Sequence, residues 1–194
     1  MHQPDRSTWL TELSERGWTV QDDFFQPSFW EALRASKHQL KPQDLQVAGT
    51  GRSATFQAHS VRGDRIRWLE DDQPQHQPVL HQLQELRHAL KQELWLPLSN
   101  QEAHLACYAP GTGYARHVDG FSHGNARLVS LVSYLNPHWK PQDGGCLRLH
   151  LDEGPHDIEP LWGRTVVFLS ESIEHEVLAA QAERWSLACW FRRG

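Results

Sequence analysis

The chain carries two hydrophobic periods, and they divide it. As far as Pro97, apolar residues recur every three to four positions; beyond it they alternate. Trp9, Leu10 and Leu13 predict a helix from Ser7 to Arg16, with Gly17 as its C′ residue. Trp18-Thr19-Val20 reads as a short strand. Pro27 suits a first helical position, and Phe29, Trp30, Leu33 and Leu40 follow at helical spacing. A third helix is expected from Val79 to Trp95. Its stripe of Leu80, Leu83, Leu86, Leu90 and Leu94 is suited to packing on a sheet.

After Pro97, His104-Tyr108, Tyr114-Asp119, Arg127-Leu135, Cys146-Leu151, Thr165-Leu169, His175-Leu178 and Arg184-Phe191 read as strands. Turn signals separate them, among them Pro110-Gly111, Asn136-Pro137, Asp143-Gly144-Gly145, Gly154-Pro155 and Gly163. Many short strands at regular spacing predict a sandwich, barrel or jelly roll. Helices first and strands afterwards predict an α+β fold, mainly β, with the helices buttressing one face. Between the second and third helices, Val47 to Pro78 is polar and broken by Gly49, Gly51 and Gly63. It reads as a functional loop, with Asp71 to Pro78 irregular.

The 194 residues suit a single domain, with helical support over about 1–97 and a β core over about 98–194. A net charge of −5 gives no support to a nucleic-acid partner. No apolar run approaches the roughly 18 residues of a membrane span. Met1-His2-Gln3-Pro4-Asp5 lacks the features of a signal peptide, so the expected location is cytoplasmic. Cys107, Cys146 and Cys189 are too dispersed for a zinc ribbon or disulfide framework and read as buried free thiols.

Candidate chemistry centres on Tyr114-Ala115-Arg116-His117-Val118-Asp119. On a strand, His117 and Asp119 would share a face. A second His from another strand would complete a 2-His-1-carboxylate triad, which holds Fe(II) and leaves positions open. The chain has a second such pair, His150-Leu151-Asp152, which reads as an exposed strand edge. His175 opens a late strand, and Arg184 opens the last one. There Arg184, Ser186, Ala188 and Trp190 share one face, and Trp185, Leu187, Cys189 and Phe191 the other. A guanidinium with small residues in front of it suits a small anion, because Arg pairs with a carboxylate through two parallel bonds. A dicarboxylic keto acid fits, one end on the metal and the other on Arg184.

Taken together these residues resemble the prolyl 4-hydroxylase branch of the Fe(II)/2-oxoglutarate-dependent dioxygenases, in particular the HIF prolyl hydroxylases (the EGLN type) and their bacterial relatives. Carrying the resemblance are Cys107-Tyr108, Gly111-Thr112-Gly113-Tyr114 through Asp119, Tyr134-Leu135-Asn136, Gly144-Gly145-Cys146-Leu147-Arg148, Ile158-Glu159-Pro160, His175-Glu176-Val177 and Arg184 through Trp190. Upstream, Arg62-Gly63-Asp64 through Glu70 matches the entry to the family's substrate-covering loop. The resemblance implies a double-stranded β-helix (jelly-roll) core with N-terminal supporting helices. It implies His117, Asp119 and His175 as iron ligands, and Arg184, Tyr134 and Tyr108 around 2-oxoglutarate. Arg127 and Trp190 would lie at the prolyl-substrate rim. The implied reaction is peptidyl-proline 4-hydroxylation with Fe(II), 2-oxoglutarate and O2, giving 4-hydroxyproline, succinate and CO2, with ascorbate (vitamin C) keeping the iron reduced. Bacterial relatives suggest a substrate of the elongation factor Tu type. Gly120-Phe121-Ser122-His123-Gly124 departs from the animal pattern. An oxygenase acting on a small molecule and a non-catalytic cupin-like metal module are the competing readings.

Overall fold

The computed structural model describes residues 6–48, 62–120 and 127–193. Its helices are α1 (Arg6–Arg16), α2 (Pro27–Gln39) and α3 (Gln77–Glu93). Its strands are β1 (Trp18–Asp22), β2 (Gln46–Val47), β3 (Asp64–Trp68), β4 (Leu98–Tyr108), β5 (Tyr114–His117), β6 (Arg127–Tyr134), β7 (Leu147–Leu151), β8 (Gly154–Ile158), β9 (Arg164–Leu169), β10 (Glu174–Val177) and β11 (Arg184–Arg193). α1 stops at Gly17, which at φ +80° donates its N–H to Leu13 O at 3.0 Å. Trp95 is 89% exposed at positive φ, and α3 ends before it rather than at it.

The strands form two antiparallel sheets. One has seven strands in the order β1-β9-β6-β11-β4-β3-β2; the other has four, β5-β10-β7-β8. Together with the supporting helices this is the double-stranded β-helix expected above. The helices cover the seven-stranded sheet. Trp9 and Leu13 of α1, Phe29 and Leu33 of α2, and Leu83 and Leu90 of α3 join Leu105, Leu131, Leu187 and Phe191 in one core. Burying each such side chain contributes about 1.5–3 kcal/mol, so this layer anchors the sheet that carries the site. A second core, with Tyr134, Leu147, Leu149, Val166 and Phe168, lies on the other face of the sheet.

β11 shows the pleat at work. Trp185, Leu187, Cys189 and Phe191 enter the helix-side core, while Arg184, Ser186, Ala188 and Trp190 line a pocket. The two periods of the sequence therefore meet on one strand.

Several expectations change. Asp64–Trp68 is a strand within the polar segment read as a loop, pairing with β4 from Asp64↔Tyr108 to Trp68↔His104. Residues 49–61, with Gly49 and Gly51, lie outside the described residues, as do 121–126. Asp71 to Pro78 is not all irregular: Pro74–His76 is a 3-10 turn and α3 has begun by Gln77. β8 runs where only a turn was expected; it is an edge strand with exposed Pro155, His156 and Asp157, so no apolar alternation marks it. All three thiols are free, but only Cys189 is buried; Cys107 and Cys146 are half-buried. No helix among the described residues is long and apolar enough to cross a membrane.

Candidate active site

His117 ends β5 and His175 sits on β10, directly opposite it in register. Their rings lie 4.3 Å apart. Asp119 lies just beyond β5 rather than on it, and is buried at 7% exposure. The chain turns there: Gly120 donates its N–H to Ser170 O at 3.2 Å. One ligand atom from each of His117, Asp119 and His175 lies within 4.8 Å of the others, a group that could hold one metal ion.

The surroundings prepare these atoms. His117 Nδ1 meets Ala115 O at 2.7 Å, and His175 Nδ1 meets Ile173 O at 3.1 Å. A carbonyl can only accept, so each Nδ1 carries a proton and each Nε2 is the ring nitrogen left to face a metal. Those Nε2 atoms stand 3.6 and 3.5 Å from Asp119 Oδ1 and Oδ2. Asp119 Oδ2 accepts from Ser130 Oγ and from Trp190 Nε1, both at 2.7 Å. Burial alone would raise the Asp119 carboxyl pKa, but His117, His175 and the Trp190 N–H hold it well below the usual range. Burial lowers that of His175. An ionised Asp119 carboxylate beside a His175 imidazole biased to its neutral form suits a metal, which binds deprotonated ligands. This donor set suits Fe(II) with open positions.

Arg184 lies at the other end of the pocket, opposite Tyr108 in register and 1% exposed. Its guanidinium carbon is 5.2 Å from the Tyr108 ring centroid and 5.1 Å from that of Tyr134. Arg184 Nε donates to Gly145 O at 2.8 Å. Gly145 is needed there: at φ +66°, a Cβ would stand 3.2 Å from Arg184 Cδ. Among the described residues, Arg184 Nη2 and the Tyr134 hydroxyl are buried and have no hydrogen-bond partner. A guanidinium buried without a carboxylate costs several kcal/mol. Burial pushes the Tyr134 phenol up to about 12, against the pull of Arg184, so it stays a donor. Two adjacent unpaired donors fit one carboxylate of 2-oxoglutarate, and the His-Asp-His cluster fits the iron. Burial raises the Tyr108 phenol as well.

Arg127 and Trp190, expected at a substrate rim, pack on each other. Trp190 lines the pocket with its N–H on Asp119, and Arg127 stacks on the Trp190 ring at 3.8 Å. Several neighbours had no role of their own in the sequence pattern. Tyr114 stacks on His117 at 3.7 Å between ring centroids. Arg62 bonds Asp64 at 2.6 and 2.9 Å and covers the Tyr114 ring. His104, buried at 1%, touches Trp68 and Trp190. Ser130 offered a signal, a hydroxyl among Leu128, Val129, Leu131 and Val132. The second His-x-Asp pair does something else: His150 Nε2 lies 3.1 Å from Glu176 Oε1, on the four-stranded sheet.

Residues 103–192 match the family model of the 2OG-Fe(II) oxygenase superfamily. A crystal structure of a Pseudomonas putida prolyl-4-hydroxylase is 39% identical, with a TM-score of 0.87 over 97% of this chain and 98% of that one. A Trichoplax adhaerens prolyl hydroxylase, solved with a hypoxia inducible factor peptide fragment, is 24% identical with a TM-score of 0.79, covering 95% of this chain and 87% of that one. That likeness speaks to the fold. Among curated proteins, rat Egl nine homolog 1 is 35% identical over 142 residues, 68% of this chain and 41% of the rat protein. The chain thus spans less than half the length of that relative. The match along nearly the whole of this chain and of the P. putida one, with the oxygenase signature over the strands that carry the site, shows that this chain belongs to the prolyl 4-hydroxylase family of 2OG-Fe(II) oxygenases.

Proposed function

We propose that the chain is a peptidyl-proline 4-hydroxylase that uses Fe(II), 2-oxoglutarate and O2 to form 4-hydroxyproline, succinate and CO2. One observation carries the reading. The buried Arg184, whose Nη2 has no partner among the described residues, lines one pocket with the His117, Asp119 and His175 cluster, and the equally unpaired Tyr134 hydroxyl belongs to the ring beside that guanidinium. In this reading His117 Nε2, His175 Nε2 and one Asp119 oxygen hold iron. Arg184 and Tyr134 bind the far carboxylate of 2-oxoglutarate, and Tyr108 walls the space between. Fe(II), when bound, supplies the activation of O2 and the oxidation of both cosubstrate and proline. The protein's task is to orient the two substrates and keep water out. Tyr108, Val132 and Leu147 do the latter with apolar surface.

In this reading Trp190 and Arg127 border the prolyl substrate, since an aromatic face suits a prolyl ring. The likeness to the P. putida prolyl-4-hydroxylase supports a prolyl substrate. For the protein substrate we favour a factor of the elongation factor Tu type, on the likeness to bacterial relatives, with ascorbate maintaining Fe(II) in a cytoplasmic setting.

The test incubates the full chain with Fe(II), 2-oxoglutarate, ascorbate and elongation factor Tu or its proline-containing peptides. Succinate release together with one added oxygen on a proline, seen by mass spectrometry, is the expected result. Succinate without oxygen on any protein or peptide would point to a small-molecule substrate. No succinate at all would leave a cupin-like metal module.

A further inference from the structure

Glu102 lies on β4 directly opposite Trp190 of β11. Two guanidiniums share its carboxylate. Oε1 accepts from Arg127 Nε at 2.9 Å and Nη2 at 2.6 Å, and Oε2 from Arg192 Nη1 at 2.7 Å. The Glu102 and Arg127 side chains are only 24% and 16% exposed, so this pair is held more firmly than a surface bridge. In this position Arg127 lies over the Trp190 ring, and its Nη1 stands 4.0 Å from Asp119 Oδ1.

The two oxygens of Asp119 are not equivalent. Oδ2 already accepts from Ser130 and Trp190. Oδ1 has His117 Nε2 at 3.6 Å and Arg127 Nη1 at 4.0 Å, both beyond ordinary hydrogen-bond length. Oδ1 is the oxygen left for a metal. A guanidinium that close to a carboxylate closes into a charge-assisted bond of about 2.8 Å unless something restrains it. Such a bond would put a cation on the atom the metal needs.

We infer that Glu102 is a positioning residue that restrains Arg127 and so reserves Asp119 Oδ1 for the metal. The inference rests on His117, Asp119 and His175 being the metal ligands. It differs from a purely structural account, in which Glu102 only ties β4, β6 and β11 together. In that account Arg127 supports Trp190 and Asp119, and losing both Glu102 and Arg127 is at least as harmful as losing Glu102. In ours, Arg127 becomes harmful once Glu102 is gone.

The test is Mn²⁺ titration of the metal-free full chain by calorimetry. Glu102→Gln should weaken Mn²⁺ binding about tenfold, the range seen for groups that orient metal ligands. Adding Arg127→Gln should bring affinity back to within about threefold of wild type, outside simple additivity. Arg127→Gln alone should bind Mn²⁺ as well as wild type or better, a readout that stands even if Glu102→Gln folds poorly. Wild-type affinity in Glu102→Gln, or a double variant no better than the single one, overturns the inference. So does a loss of affinity in Arg127→Gln alone. A wild-type chain that binds no Mn²⁺, or a His117→Ala variant that binds as wild type does, overturns the ligand assignment beneath it instead.

Discussion

Trp190 Nε1 donates to Asp119 Oδ2 at 2.7 Å, joining the last strand of the large sheet to the residue just beyond β5 of the small one. The bond fixes the carboxylate's rotation and leaves Oδ1 facing His117, with His175 nearer Oδ2. Trp190→Phe keeps the aromatic surface under Arg127 and removes only the donor. Metal affinity should fall about tenfold, as for other groups that orient a ligand, with the melting temperature little changed. Cobalt titration followed by absorbance measures this. Undiminished affinity would mean that Ser130 alone orients Asp119.

Arg184 and Tyr134 should act on the cosubstrate without acting on the metal. Truncating one partner of a buried hydrogen-bonded charge pair costs about 2–5 kcal/mol, so Arg184→Gln should weaken 2-oxoglutarate binding by about a hundredfold or more. Tyr134→Phe loses one hydrogen bond to a charged group and should cost about tenfold. Calorimetry with 2-oxoglutarate in the presence of Mn²⁺ reads both. Equal losses of Mn²⁺ affinity would mean that the pocket had collapsed rather than lost its anion site.

Much of this arrangement is legible in the chain, and the limits have physical causes. The face of β11 follows from alternation alone, because one side is packed on helices and the other is not. The helices follow from their apolar stripes. Edge strands escape: β8 and the start of β4 carry polar residues, since an edge or a strand end has water beside it. Glu102 was missed for that reason, the strand being read only from His104. Asp119 shows another limit. Its burial comes from a turn and from donors on strands far away in sequence, which no local spacing reveals. Tyr108 and Tyr134 were reached through family resemblance, because a half-polar aromatic on a strand is ordinarily core.

His104 should make the metal-free protein sensitive to mild acid. It is buried against Trp68 and Trp190; burial first, then Arg62 and Arg127, hold its pKa well below the ordinary 6.5. Between those two values the unfolded chain binds a proton that the folded chain refuses. Its contribution to stability is therefore present above about pH 6.5 and is lost as pH falls through the folded value, at up to about 1.4 kcal/mol per pH unit. The denaturant midpoint should drop between pH 7.5 and pH 5. His104→Leu should flatten that drop. A slope unchanged by the substitution would place the effect elsewhere, His175 being the next buried imidazole with the same sign.

Asn136 should prove the support behind the anion end of the site. Its amide nitrogen donates to Pro160 O and Trp185 O, both at 2.9 Å, and its oxygen accepts from Trp185 N–H at 2.7 Å. The side chain is 4% exposed, so all three bonds are shielded from water. They grip both polar groups of the residue that follows Arg184 and hold β11 where the guanidinium enters the pocket. Asn136→Ala leaves a buried N–H and carbonyl oxygens without that partner, at about 1–3 kcal/mol for each group left unsatisfied. Thermal unfolding should shift accordingly. In the variant that remains folded, 2-oxoglutarate binding should weaken while Mn²⁺ affinity stays near wild type, because the metal cluster draws on β5, β10 and the turn at Asp119 instead. Destabilisation with cosubstrate affinity intact would show that Arg184 is held by Gly145 O and its own strand, without help from Asn136.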